Sequence, residues 1–522
     1  MIQIKPSANL SWTPCYVNFM CANLEVPLDY EDSQAGTTNI AFIKKASLNE
    51  SAEDILINPG GPSNSGIDFV LKGASLLENL FGAEYNLIGF DPRGVNNSGP
   101  TLTCFPSSEA AQLVFGRTLG LPIDSNSTTS IAEAYELAGG WSQWCSKANR
   151  DTHAKYANTP AVSADLLRFI ESRSVGRGAS ADDAKLWFYG LSYGTVIGST
   201  FASLYPDRVG RMILDAPMDV EDYYSGASRE NLNDADAAVR SFFKFCHEAG
   251  KEGCAFHAES PEAIETRFRN ALLSIKEDPI VVVDPYFVQM PTLATYKTLQ
   301  SFVLQATFAP ITRFPAFAQL MLGVEKRNGS ALAKNSGFGT LATECPGETP
   351  AREYHMEEPR LIIACNDANG RTNLSSMDAF AESMEYMVEQ SFYLGESWAG
   401  ATVGLNCRNL DIRSPKSQQF SLPSANDTIK TSPILFLSNT IDPTSPLKGA
   451  QKMTTSFPGS SLLIVNGVGH GTITAPSKCA RDYVQRYLDS GALPESGEVC
   501  IPDGVPFKGS DGGWGKVLKT VY

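Results

Sequence analysis

Leu186-Trp187-Phe188-Tyr189-Gly190-Leu191-Ser192-Tyr193-Gly194 runs an apolar strand straight into the pattern Gly-x-Ser-x-Gly. A serine so placed stands at a sharp strand-to-helix turn, and the flanking glycines let the chain turn there without a Cβ clash. Thr195 to Tyr205 reads as the helix that should follow, stopped by Pro206. With 43 glycines in the chain the bare pattern arises readily by chance, so its weight comes from the strand-turn-helix context. The expectation is a Ser192 hydroxyl exposed on a strained turn, available as a nucleophile.

Short apolar strands lie on either side of this stretch. Residues 53–58 run into Pro59-Gly60-Gly61-Pro62, residues 86–90 into Asp91-Pro92-Arg93-Gly94, and residues 211–214 follow the helix. Apolar strands alternating with helices predict a mostly parallel sheet covered on both faces. From about Val220 the pattern becomes helical, over residues 234–249, 260–276, 295–309, 313–328 and 376–394. Strands return at 433–438 and 461–465, a closing helix spans 477–489, and a glycine-rich tail over 504–515 reads as surface coil. This divides the chain into a sheet core over 1–219, a mainly helical lid over 220–425 and the rest of the core over 426–522.

A serine hydroxyl attacks poorly unless a base takes its proton, and the base needs a carboxylate to orient it. In folds of this type the acid and the histidine follow the serine, in that order. Of the five histidines, His470 alone lies after Ser192 where strands have resumed, within Gly469-His470-Gly471. Asp442 directly follows the preceding strand and is the expected acid; Asp215, after the strand that follows the elbow, competes for that role. The backbone N–H of Tyr193 and that of Gly61 are the expected oxyanion donors, with Gly60 close to the substrate.

Net charge is -15 and the pI about 4.9, so the surface repels phosphate backbones and nucleic acid is not an expected partner. The acidity serves solubility or attracts cationic ligands such as peptides with a free amine. No stretch reaches the ~20 apolar residues of a membrane span. Residues 1–6 lack the apolar core of a signal peptide. The 11 cysteines nevertheless suggest a secretory protein whose signal peptide has been removed. Seven N-glycosylation sequons, at Asn9, Asn49, Asn96, Asn126, Asn328, Asn373 and Asn426, agree with that reading. The expected disulfides are Cys15–Cys21, Cys104–Cys145, Cys246–Cys254, Cys365–Cys407 and Cys479–Cys500, which leaves Cys345 free. There is no Cys-x-x-Cys and histidine is scarce, so neither a metal nor a cofactor is expected.

Asn58-Pro59-Gly60-Gly61-Pro62-Ser63, Asp91-Pro92-Arg93-Gly94, the elbow with Thr195, Asp442-Pro443-Thr444-Ser445-Pro446 and Gly469-His470-Gly471 together resemble one group of enzymes. These are the α/β-hydrolases of the proline-iminopeptidase and tripeptidyl-aminopeptidase branch. Residues 22–30 and Ile363-Ala364-Cys365-Asn366-Asp367 resemble its secreted members, and the likeness runs from about Trp12 to Cys500. It implies an α/β-hydrolase fold, a Ser-Asp-His triad and release of short peptides or single residues from free N-termini. It also implies lid carboxylates that bind the substrate ammonium: Asp367 first, then Glu344, Glu348 and Glu396. Three departures stand out. Ser63 replaces a glycine, Asn96 or Asn97 replaces another, and Arg408-Asn409-Leu410 replaces a Trp-Pro expected to wall the pocket. An altered pocket leaves a second reading open: an esterase, amidase or acyl-transferring enzyme on a specialised small molecule. A third, a binding protein on an inactive scaffold, conflicts with an intact Ser, Asp and His set.

Overall fold

The computed structural model describes residues 4–336, 354–372, 374–422 and 431–508, with positions 512, 513 and 517. Cys345, Glu344, Glu348 and the sequons at Asn373 and Asn426 lie outside the described residues.

Ten strands form one sheet: β1 (Thr13–Cys15), β2 (Phe19–Pro27), β3 (Thr37–Lys45), β4 (Asp54–Asn58), β5 (Asn86–Phe90), β6 (Leu186–Leu191), β7 (Val209–Asp215), β10 (Leu435–Ile441), β11 (Ser461–Val468) and β12 (Glu498–Cys500). The intervening β8 (Ile280–Val282) and β9 (Thr292–Ala294) form a separate antiparallel hairpin. The order across the sheet is β1-β2-β3-β5-β4-β6-β7-β10-β11-β12. From β5 to β12 every pairing is parallel, and β4, β5 and the last four residues of β6 are buried throughout. That two-sided burial is why these strands read as unbroken apolar runs. The antiparallel edge β1-β2-β3 is longer than the sequence pattern reveals; β3, for example, pairs its buried Phe42 with Phe90.

Chain excursions after β5 and after β7 carry the helices that cover the C-terminal ends of the strands. Among its described residues the longer one, between β7 and β10, has the β8–β9 hairpin as its only strands and is otherwise mainly helical. Its core includes Phe242, Phe243, Phe268, Phe314 and Phe317, and Ile123, Tyr135 and Ala138 from the earlier excursion join the same cluster. Residues 103–148, placed with the core by sequence, therefore pack on the inserted helices. Glu358 accepts from the Cys104 N–H at 3.0 Å and from Gln112 at 2.6 Å, and the Arg408 guanidinium lies 3.5 Å over the Tyr135 ring. The tail is more than surface coil, because the Phe507 ring lies 6.3 Å from that of Phe242. All five disulfides expected from the sequence are present.

Asp91-Pro92-Arg93-Gly94 works as a structural knot. Asp91 accepts from Ser65 Oγ, Ile67 N–H and both nitrogens of Asn97, and burial pushes its carboxyl up to about 6. Arg93, fully buried, grips Asp165 with two nitrogens at 2.6 and 2.7 Å and donates to the carbonyls of Pro27 and Leu28. One guanidinium thus ties the end of β2, the loop after β5 and the helix Thr159–Gly176 together. Removing it strands a buried carboxylate, so Arg93→Ala should cost about 3–5 kcal/mol of unfolding free energy. Urea titration of the two proteins checks this; a loss below ~1 kcal/mol would show that the knot does not hold the core.

Candidate functional site

Where β6 ends, Ser192 adopts φ 58° and ψ −121°, a left-handed conformation that non-glycine residues avoid. The turn is held from below by the Ser192 N–H bond to the Asp215 carbonyl at 3.0 Å, and the helix Tyr193–Leu204 starts immediately. The glycine-rich loop after β4 lies against this elbow. A Cβ on Gly60 would sit 2.6 Å from the Leu191 carbonyl oxygen and 2.9 Å from Ser192 Cβ. Only glycine permits that approach, which brings Gly61 to the cavity in front of Ser192; Gly60, expected close to the substrate, packs on the elbow and is not among the lining residues.

His470 follows β11 and Asp442 follows β10, so adjacent parallel strands deliver both residues to the same end of the sheet. His470 Nδ1 lies 2.9 and 3.1 Å from the two Asp442 oxygens. The carboxylate, fully buried, also accepts the N–H groups of Thr444, Ser445 and Gly471 at 2.9–3.1 Å. Asp215, the rival acid, is occupied otherwise: Thr472 N–H and Oγ1 bind it at 2.8 Å and Tyr189 Oη at 3.0 Å. Burial raises its carboxyl to about 6.

Ser192, His470 and Gly61 line one cavity of about 330 Å³, with Asp442 behind the histidine. The Tyr193 side chain points away into the core, where its hydroxyl meets Thr159 Oγ1 at 2.6 Å; its backbone N–H belongs to the elbow. Apolar walls come from Met218, Phe308 and Trp398. Among the described residues no group of His, Cys, Asp and Glu is arranged to hold a metal ion.

Of the carboxylates singled out by sequence, the two among the described residues, Asp367 and Glu396, are placed elsewhere. Asp367, on the last turn of the helix Glu357–Ala368, sits behind the wall residue Tyr223. It accepts from Thr159 N–H and Oγ1 at 2.8 and 2.6 Å and from Tyr223 Oη at 2.8 Å, and burial raises it to about 6. Glu396 is taken by Ser125 and Tyr296. Neither lines the cavity; Asp219, Asp222, Glu230 and Glu357 do, with Arg360 as the cation among the lining residues. Arg408-Asn409-Leu410 also misses the cavity, since Arg408 stacks on Tyr135 and Leu410 enters the core; residues 401–403 form that wall. Of the acids that do face the cavity, Glu357 begins the helix Glu357–Ala368, Glu230 follows the helix just after β7, and Asp219 and Asp222 sit in that helix and the turn before it. There sequence reading sees only a change from sheet to helix, and Asp219 resembles an ordinary helix cap.

Residues 55–252 match the family described as "alpha/beta hydrolase fold", and residues 391–500 match the family described as "TAP-like protein". Among curated relatives, "Serine protease Hip1" of Mycobacterium tuberculosis is 26% identical over 516 residues, covering 96% of this chain and 92% of that protein. "Tripeptidyl aminopeptidase" of Streptomyces coelicolor is 24% identical over 525 residues, covering 96% and 87%. "Carboxylesterase B" of Mycobacterium tuberculosis is 22% identical over 484 residues, covering 92% and 86%.

The raised carboxyl of Asp367 carries a sign that can be tested. Between about pH 4 and 6 the unfolded chain has this group ionised while the folded protein keeps it protonated, so it lowers stability as pH rises. Asp367→Asn removes that dependence. The Tm of the variant minus that of the wild type should therefore increase from pH 4 to pH 6.5 in thermal melts; a flat or falling difference would contradict the raised carboxyl.

Proposed function

We propose that this serine hydrolase, whose residues 55–252 match the α/β-hydrolases and whose residues 391–500 match the TAP-like proteins, is a secreted aminopeptidase that releases short peptides or single residues from free N-termini. The observation that carries this reading is the acidic wall of the cavity, four carboxylates against the single Arg360. Glu357 is partly neutralised by Arg360 at 2.9 Å, Glu230 by Lys448 at 2.9 Å and Asp219 by Lys452 at 2.8 Å, which leaves Asp222 as the wall carboxylate without a cation among the described residues. Asp222 is held only by the N–H groups of Arg229 and Glu230, both at 3.0 Å; burial raises its carboxyl, and the charges of Asp219 and Glu230 add to the shift. A substrate ammonium must shed water on entry, which is costly unless a fixed carboxylate meets it. Asp222 is the residue proposed to do so.

In the proposed mechanism Ser192 Oγ attacks the substrate carbonyl while His470 Nε2 takes its proton, with Asp442 holding the imidazole by Nδ1 and stabilising its cation. The Gly61 and Tyr193 N–H groups receive the developing oxyanion. The acyl-enzyme then forms as His470 protonates the leaving amine, and water reverses the sequence.

Secretion is supported by the five disulfides, which suit an oxidising compartment. All five sequon asparagines among the described residues are exposed, against 7 of the other 20 described asparagines, so each is accessible to a glycan. No described helix is long and apolar enough to cross a membrane. A second reading, an esterase or amidase on a specialised small molecule, draws on the apolar surface of Met218, Phe308 and Trp398.

Two measurements test these assignments. Asp442→Asn should lower kcat by a factor on the order of 10⁴, while Asp215→Asn stays within about tenfold of wild type; the reverse order would exchange the two acids. For the substrate class, one peptide anilide is compared free and N-acetylated. Acetylation should lower kcat/KM by at least about 10², because it leaves Asp222 without the ammonium it is proposed to meet. Equal cleavage of both forms would favour the small-molecule reading instead.

A further inference from the structure

Gly469 and Gly471, on either side of His470, have φ +131° and +77°, so this loop is no regular element and its polar groups need partners from elsewhere. The N–H groups find three. Gly469 donates to the Ile441 carbonyl at 3.0 Å, His470 to the Phe308 carbonyl at 2.8 Å, and Gly471 to Asp442 at 2.9 Å. The carbonyls of both glycines go to one atom: Asn439 Nδ2 lies 2.8 Å from each.

Asn439 is fully buried on β10, where the pairing with β11 shifts register between Asn439 and Ile441. Among the described residues its Oδ1 has no hydrogen-bond partner. Burying an amide oxygen unpaired is unfavourable, and leucine would fill this space without that cost. What leucine lacks is a pair of N–H donors on a single atom, here aimed at the two carbonyls that bracket His470. Asp442 lies three residues later, so the end of one strand grips the imidazole through a carboxylate and its backbone through an amide.

We propose that Asn439 is a positioning residue for His470: by clamping the carbonyls of Gly469 and Gly471 it sets the direction of the imidazole toward Ser192. The inference rests on His470 being the general base. It goes beyond the triad because Asn439 touches neither substrate nor the reacting atoms and acts through the loop alone.

The experiment compares kcat, KM, Tm and the rate of fluorophosphonate labelling of Ser192 in Asn439→Ala, Asn439→Asp and Val465→Ala. Val465 is a buried β11 residue used as a stability control. Asn439→Ala should lower kcat and the labelling rate together by about 10- to 100-fold, with KM within about threefold, as expected when a reacting group is displaced by roughly an ångström. Val465→Ala should lose stability but keep kcat within about twofold. Asn439→Asp keeps the shape and, when protonated, offers one donor in place of two; its kcat should decline toward alkaline pH where the wild type holds steady. Should Asn439→Ala fail to accumulate, this pH profile decides. Wild-type kcat and labelling in both Asn439 variants would overturn the proposal, as would an equal loss in Val465→Ala. His470→Ala separates the two levels: if it stays active the premise falls, and if it is inactive beside fully active Asn439 variants only the clamp falls.

Discussion

The structure at the cavity depends on one buried carboxylate. Asp442 has no exposure to solvent, yet it gathers three backbone N–H groups and the His470 imidazole. An ionised group in such a place is tolerable only when every lone pair is met by a donor. That requirement fixes the loop after β10, through Thr444 and Ser445, and the loop after β11, through Gly471. It also fixes how the two loops stand to one another, because β10 and β11 are adjacent and parallel. Asp215 performs the same service one strand further in, tying β7 to Thr472. Two buried acids therefore lock neighbouring strand ends together, and their hydrogen bonds, rather than their positions along the chain, tell them apart.

The inserted helices take part in this arrangement. The Phe308 carbonyl accepts the His470 N–H, and the Phe308 ring lies 5.4 Å from the imidazole while lining the cavity. On the opposite wall Tyr223 joins the cavity to Asp367, which in turn holds Thr159 at the start of a core helix. Movement of the inserted helices would thus be felt at the histidine loop and at the elbow helix, since Thr159 also meets the Tyr193 hydroxyl. The carboxylate that looked like a ligand for substrate is a structural joint one layer behind the wall.

How far the sequence can be read follows from the range of the forces involved. Apolar runs such as Leu186–Leu191 and Ile434–Leu437 announce buried parallel strands, because both faces must be covered whatever lies beyond them. β1, β2 and β3 are less legible: partial exposure breaks their pattern, and β5, through which β3 joins them to the rest of the sheet, is distant in sequence. The helices over 128–148 and 159–176 show weak one-sided patterning because each is buried against more than one neighbour.

By itself the sequence determined the elbow at Ser192, the order of Asp442 and His470 and the mostly parallel sheet, since each is written in short-range steric or burial constraints. Only the tertiary structure decided which acids face the cavity, that Asn439 grips the histidine loop and that residues 103–148 join the inserted helices. Those outcomes depend on which side chains from distant segments complete one another's hydrogen bonds. A carboxylate such as Asp367 or Asp222 carries no mark along the chain of whether tyrosine, backbone or open cavity will stand before it.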